Sequence, residues 1–209
     1  VMKLTEEKKM NLSLPLGKYL PETIGTDKEN LTIKDVLLHQ AGLIPYIPYY
    51  KETLDSSGFP IPNYYSSNKQ HDDDILVAPH LYIQHKWVDS FYMRMLNAPV
   101  NEKGKYVYSD IDFILLAKIV ERITGLPINV YAEREFYQPM GLSSTRYLPL
   151  EHIRYDRIAP TVDEKVFRMQ KLQGYVHDPG AAMMGGVAGH AGLFSDAEGV
   201  AAIMQMLLN

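Results

Sequence analysis

The stretch GKYVYSDIDFILLAKIVERITG, Gly104–Gly125, passes from a short polar run into an apolar periodic segment. Ile111, Ile114, Leu115, Ile119, Val120 and Ile123 recur at helical spacing, so a helix with one apolar face is expected. Ser109 stands where a cap belongs, and Asp112 follows three residues later as a Ser-x-x-Asp form of the capping box. Gly125 suits the left-handed residue that ends a helix, and Pro127 can open the next one. Tyr108 therefore falls just outside a helix N-terminus. Unpaired N–H groups and the helix dipole favour negative charge there, and a phenolate is one such charge. In a chain with 15 tyrosines, the plainer alternative is a ring packed under the helix entry.

Outward from this segment, helix signals outnumber strand signals. Residues 1–10 read as the end of a charged helix, and Leu12–Glu22 as a proline-interrupted extended connection. Thr32 and Asp35 form a second capping box, opening the helix TIKDVLLHQ with Gly42 as its stop. Residues 44–80 show no period and are rich in Pro, Tyr, Ser and Asp, a long excursion of functional or family-specific kind. His80–Pro99 returns to helical spacing, and PINVYAEREFYQPMGL gives a further helix. Residues 143–180 read as loops with short elements. The Gly-rich Gly180–Ser195 must be dominated by backbone, and Ser195 with Glu198 caps a last amphipathic helix. No internal repeat is visible. The chain begins inside a helix and stops inside another, so both edges read as cut from a longer protein.

Composition excludes several classes. The 209 residues are 46% hydrophobic and 22% charged, ordinary for a soluble globular domain. A net charge of −4 with scattered Lys and Arg does not suit a nucleic acid or an anionic membrane. The absence of cysteine excludes disulfides and thiolate metal sites. No apolar run is long enough for a membrane span, and the first residues lack the anatomy of a signal peptide. His71-Asp72-Asp73-Asp74 reads as a solvated charge run, so no metal site and no cofactor are expected. Tyr46, Tyr49, Tyr50, Tyr64 and Tyr65 read as loop packing, with a platform for sugar or peptide as the alternative. Met183, Met184, Met204 and Met206 read as core filler.

Several pieces taken together resemble the serine β-lactamase and penicillin-binding-protein superfamily, in its class C, esterase and D-alanyl-D-alanine-peptidase-like branch. MKLTEEKKMNLSLPLGKYLPE resembles the end of the helix that follows the nucleophile. ENLTIKDVLLHQAGL is similar to the family segment of a threonine-initiated helix, a histidine and Gly-Leu. YVYSDIDFILLAKIVERITGLPINVYAEREFYQPMGLSSTRY resembles the Tyr-x-Asn motif and its two following helices. GYVHDPGAAMMGGVAGHAGLFSDAEGVAAIMQMLLN resembles a later loop and helix. The pieces occur in family order and cover most of the chain outside 45–100, which reads as a family-specific insertion or variable region.

The resemblance implies an α+β fold of β-lactamase/transpeptidase type. Residues 1–209 would be part of a single such domain, truncated at both ends, mainly its helical subdomain with little sheet. Three motifs carry the family's chemistry: Ser-x-x-Lys, Tyr-x-Asn and a Lys-Thr-Gly-like strand. A serine hydroxyl attacks well only when a neighbour accepts its proton, and a phenol becomes a base only when cations stabilise its phenolate. By resemblance Tyr108 is the catalytic base, and Asp110 and His190 are substrate-binding residues. Asp110 stands where the pattern has asparagine. An ionised carboxylate donates no hydrogen bond and disfavours a nearby phenolate, which argues against a β-lactam-specific role. Ser66-Ser67-Asn68-Lys69 matches Ser-x-x-Lys as a string only, in a polar loop on the wrong side of MKLTEEKKM. His190-Ala191-Gly192 imitates a His-x-Gly third motif but runs at once into a helix, so His190 reads as a loop residue near the cleft. His39 matches a recurring family histidine with a structural role. His177-Asp178 reads as a turn or as part of a cleft rim.

The resemblance thus implies a serine hydrolase acting through an acyl-enzyme on an ester, amide or β-lactam, inactive in this segment alone. Its partners would be small-molecule or peptidoglycan-derived substrates. A fused glycoside hydrolase domain in the longer protein and a periplasmic or extracellular location also follow from the resemblance. The alternative is a non-catalytic peptide- or glycan-binding module of the same fold.

Overall fold

The computed structural model describes residues 1–208. In chain order it contains helix α1 (Met2–Glu6), 3-10 turns at Leu16–Lys18 and Pro21–Thr23, α2 (Ile33–Leu37) and α3 (Tyr49–Glu52). Strands β1 (Tyr65–Ser66), β2 (Ile75–Ala78) and β3 (Leu81–Ile83) follow, then α4 (His85–Leu96), α5 (Asp110–Thr124) and α6 (Ile128–Ala132). A π turn at Glu133–Tyr137 extends α6. Two further 3-10 turns precede β4 (Pro160–Asp163), β5 (Lys171–Gln173), α7 (Pro179–Met183) and α8 (Ala197–Leu208). Helix accounts for 38% and strand for 11%, as the helical reading required.

The chain divides into two compact units: Val1–Ile47 with Val88–Ile128, and Pro48–Trp87 with the residues from Asn129 on. In the first unit α5 forms the core. Ile111, Leu115, Leu116, Ile119 and Val120 are buried, and α5 packs against α2, whose Ile33 and Val36 are buried. Of the periodic residues read from sequence, Ile111, Ile114, Leu115, Ile119 and Val120 leave water, each contributing roughly 1.5–3 kcal/mol, while Ile123 is only half-buried. Gly125 ends α5 at φ 69, in the left-handed region. Thr32 caps α2 as read, with Asp35 N–H donating to Thr32 Oγ1 at 3.1 Å, while the Asp35 carboxylate accepts from the Thr32 hydroxyl at 2.7 Å rather than from the Thr32 backbone N–H. The helix stops sooner than the periodicity suggested, at Leu37, because His39 takes φ 55. Lys28 is fully buried, yet its ammonium is held by Asp27 and the Ala98 carbonyl.

In the second unit the excursion after residue 47 is not unstructured. Strands β1, β3 and β2 form a three-stranded antiparallel sheet in that order, with β3 central. The tyrosines there are packed: Tyr50 and Tyr65 lie against the buried Phe167, and Tyr64 against Trp87. The Tyr65 hydroxyl bonds Thr53 Oγ1 at 2.8 Å. The charge run at residues 71–74 is solvated except at its end, since Asp74 is buried and accepts N–H bonds from Gln70 and His71. A hairpin, β4 with β5, and the buried Arg168 hold the later loops. Arg168 donates to Glu164, to Val176 O at 2.7 Å and to His177 O at 2.6 Å.

Two expectations about the last helix fail. Asp196 rather than Ser195 supplies the cap, accepting from Gly199 N–H at 2.8 Å, because the Ser195 hydroxyl is shared with Thr145 Oγ1 at 2.7 Å. Met204 and Met206 are not core filler: with Val200, Leu207 and Leu208 they are exposed on α8.

Candidate active site

Tyr108 lies at the end of an irregular segment whose backbone is fastened on both sides of it. Val107 N–H donates to His39 O at 2.9 Å and Asp110 N–H to Pro45 O at 2.8 Å. Between them, Ser109 Oγ–H donates to Ile44 O at 2.6 Å. The Tyr108 ring is nevertheless 55% exposed. A ring packed under the helix entry would be buried, so that reading fails. The arrangement presents a phenol to solvent from a rigid backbone at the start of α5, where the dipole favours negative charge.

The capping box expected here is absent. Ser109 occupies the cap position of α5 by its backbone, but its hydroxyl is spent on Ile44 O and makes no cap bond. Asp112 is buried and turned to His39, with Oδ2 2.7 Å from Nδ1. Ser109 N–H also points at His39 Nδ1, at 3.3 Å. Asp110 is the first residue of α5, two residues after Tyr108 and in the same unit.

Burial pushes the Asp112 carboxyl up to about 6, against the opposing hydrogen bond and charge of His39. The sign of the effect on stability follows. An acid whose folded value exceeds its unfolded value binds a proton between roughly pH 4 and 6 that the unfolded chain does not. Its contribution is present below that window and is lost as pH rises through about 6. Asp112→Asn removes this contribution. In urea unfolding from pH 4.5 to 7.5, the wild type is expected to lose on the order of 2 kcal/mol more than Asp112→Asn as pH rises. Equal slopes for both proteins would contradict the assignment.

The second unit holds His190, in the Gly-rich loop between α7 and α8. Its side chain is buried, with Nε2 3.0 Å from Asp178 Oδ1. The same carboxylate oxygen caps α7 by accepting Ala181 N–H at 2.6 Å, with Pro179 at the first helical position. Burial alone would raise the Asp178 carboxyl, but the bonds from His190 and Ala181 N–H outweigh it and hold the group below the usual carboxylate value. His190 Nδ1 is buried and has no hydrogen-bond partner. With Nε2–H donated to Asp178, Nδ1 is left as an acceptor. Asp178, read from sequence as part of a turn or of a cleft rim, thus holds His190. Its Asp-Pro-Gly context signalled a helix cap, but not the bond to His190. Tyr108 and Asp110 belong to the first unit and His190 to the second. The second unit also contains a cavity of 340 Å³, lined by Ile75, Val77, Leu148, Leu150, Tyr175 and Phe194 among others. Its mostly apolar walls and size suit an apolar group of a small ligand.

Ser66 is excluded as a helical nucleophile by its setting. It lies in β1, and its hydroxyl donates to Asn68 O at 2.7 Å, so no helical turn brings Lys69 beneath it.

The chain is similar to known proteins over its whole length. The family model described as Beta-lactamase matches residues 1–209. Among curated proteins, an N-acetylmuramyl-L-alanine amidase of Bacillus subtilis (strain 168) is 34% identical over 219 residues, covering 99% of this chain and 44% of that protein. A protein of Escherichia coli (strain K12) provisionally named a D-alanyl-D-alanine carboxypeptidase is 33% identical over 228 residues, covering 100% of this chain and 47% of its own length. The chain thus spans about half the length of the curated relatives it matches. Among solved structures, a D-stereospecific amidohydrolase from Streptomyces sp. aligns with TM-score 0.66 at 20% identity, over 99% of this chain and 56% of that one. A class C β-lactamase from Rhodobacter sphaeroides aligns with TM-score 0.61 at 19% identity, over 98% and 46%. These two carry the fold alone. With its whole length matched by the family model, the chain belongs to the β-lactamase family, with its β-lactamase/transpeptidase-like α+β fold.

Proposed function

We propose that this chain is the part of a serine hydrolase that supplies its general base, Tyr108, and part of its substrate site, Asp110 and His190. The observation that carries the reading is the solvent-facing Tyr108 ring on a segment fastened at both ends. A serine outside this chain attacks the acyl carbonyl, and its proton passes to the Tyr108 phenolate as the C–O bond forms. Collapse of the tetrahedral adduct breaks the bond to the leaving group, which takes the proton back from Tyr108. Water then hydrolyses the acyl-enzyme by the same steps.

The substrate we infer is a peptidoglycan-derived amide rather than a β-lactam. Asp110 supports this, since an ionised carboxylate accepts an N–H from a peptide but cannot donate to a lactam carbonyl. Residues 45–100 are read as the family-variable part, and a periplasmic or extracellular setting fits a cell-wall substrate. Asp110 also favours a second reading, a non-catalytic binder, because its charge opposes the phenolate.

Intact-mass analysis of the full-length protein after a serine-directed phosphonate separates the readings. One stoichiometric adduct, mapped to a peptide outside this chain, is expected, together with hydrolysis of an acyl-D-alanyl-D-alanine peptide. An adduct on Ser66 would overturn the placement of the nucleophile. No adduct on the full-length protein would favour the binder.

A further inference from the structure

The buried pair His39–Asp112 has no part in the steps above, yet it touches the catalytic segment at more points than any other residues described. His39 O accepts from Val107 N–H, and His39 Nδ1 faces Ser109 N–H. The His39 ring lies 4.8 Å from the Tyr108 ring, centroid to centroid, 5.7 Å from Tyr106 and 5.2 Å from Phe113. This contact is held at a cost, because His39 is a non-glycine residue at φ 55, a conformation that survives only where its surroundings enforce it. Here they do so through the hydrogen bond to Asp112 on α5.

The proton between the two groups can be placed from the bonding. Ser109 N–H points at Nδ1, so Nδ1 must be an acceptor for that bond to form. Asp112 Oδ1 is buried with no partner, a poor setting for a full negative charge. Both observations put the proton on Asp112 at rest, with His39 neutral and carrying Nε2–H. We infer that His39 and Asp112 are a positioning pair for Tyr108: they fix the phenol's stance, and their shared proton lets His39 become cationic when Tyr108 carries negative charge. The inference rests on the proposed role of Tyr108.

Below about pH 6, where Asp112 keeps its proton, the step conserves protons. One proton passes from Asp112 Oδ2 to His39 Nδ1 along their 2.7 Å hydrogen bond, leaving an imidazolium between two negative groups, with no exchange with solvent. A cation beside an aromatic face is favourable, more so when water is excluded. It would offset the opposing charge of Asp110. The titratable groups in contact with the His39 ring are Asp112 and the phenols of Tyr106 and Tyr108. Three other charges on the packed helices have partners of their own. Asp35 is in the α2 cap with Thr32, Glu121 accepts Ile128 N–H, and Arg122 pairs with Glu22.

The test reads Tyr108 without turnover, so its failure leaves the role of Tyr108 as base standing. The ¹³Cζ signal of Tyr108 in tyrosine-labelled protein, assigned by its loss in Tyr108→Phe, is followed from pH 4 to 9. In the wild type it is expected to inflect near pH 6, where the pair changes charge. His39→Asn is the decisive variant. Asparagine tolerates the left-handed backbone, and its amide can still donate to Asp112, but it cannot carry the charge. The inflection is expected to fall below half its wild-type amplitude, with melting temperature unchanged. No inflection in the wild type, or full amplitude in His39→Asn, overturns the proposal. Should His39→Asn not fold, ¹⁵N signals of the His39 ring in the wild type decide. An Nε2–H tautomer at rest and a midpoint shared with Tyr108 support the pair, and an Nδ1–H tautomer overturns it.

Discussion

Tyr108→Phe in the full-length protein is expected to lower kcat/KM for an acyl-D-alanyl-D-alanine peptide by about 10²- to 10⁴-fold, the range typical of losing a general base. The substitution removes one oxygen and its proton and leaves the ring. The backbone anchors at Val107, Ser109 and Asp110 do not involve the hydroxyl, and the ring contact with His39 survives. The ring is more than half exposed, so folding stability is expected to change by less than about 0.5 kcal/mol. The loss is therefore expected in kcat, with KM nearly unchanged, because the hydroxyl acts as a proton acceptor in the transition state rather than as a binding contact. A variant that keeps more than a tenth of wild-type kcat, while melting as the wild type does, removes Tyr108 from the mechanism.

How far this site could be read in advance depended on the length over which each signal acts. Helix α5 was legible because Ile111, Leu115, Ile119 and Val120 lie within one periodic window, and the same window carried its stop at Gly125. Ser109 and Asp112 satisfied a local capping pattern equally well, but partners about 70 residues away, Ile44 O and His39 Nδ1, took both side chains. The rule that a local hydroxyl caps a helix holds only until a buried acceptor competes for it. Ser195 failed as a cap for the same reason, once Thr145 was within reach. Strands β1 to β3 escaped because none exceeds four residues, too short for alternation to show. The exposed methionines of α8 were misjudged because apolar character was taken to imply burial, which does not follow for an isolated element. His190 was singled out from its loop, but the bond that orients it, to Asp178 twelve residues earlier, needed coordinates.

That loop yields the second large effect: Gly192→Ala is expected to destabilise the protein by about 4 kcal/mol, lowering Tm by roughly 8–16 °C for a chain of this size. Two costs add. Gly192 sits at φ +119, where an alanine is strained by about 1–3 kcal/mol. A Cβ there would also drive into the backbone carbonyl of Gly186, with Tyr147 Cδ1 3.1 Å away on another side. A flexible side chain could yield, whereas Gly186 cannot. Its own N–H is bonded to Ala181 O at the end of α7, so moving it unwinds the helix that Asp178 caps. Overpacking against fixed backbone costs a further 1–3 kcal/mol or so. Gly104→Ala separates the two contributions, since Gly104 lies at φ +84 with open space around its missing Cβ. Only the strain applies there, and a loss of about 1 kcal/mol is expected. If backbone contact in the Gly-rich loop is what holds His190 against Asp178, the Gly192 variant must lose several-fold more stability than the Gly104 variant in urea unfolding. Equal losses would mean that the loop gives way freely, and that the buried His190–Asp178 bond is maintained by something other than the packing of Gly186 on Gly192.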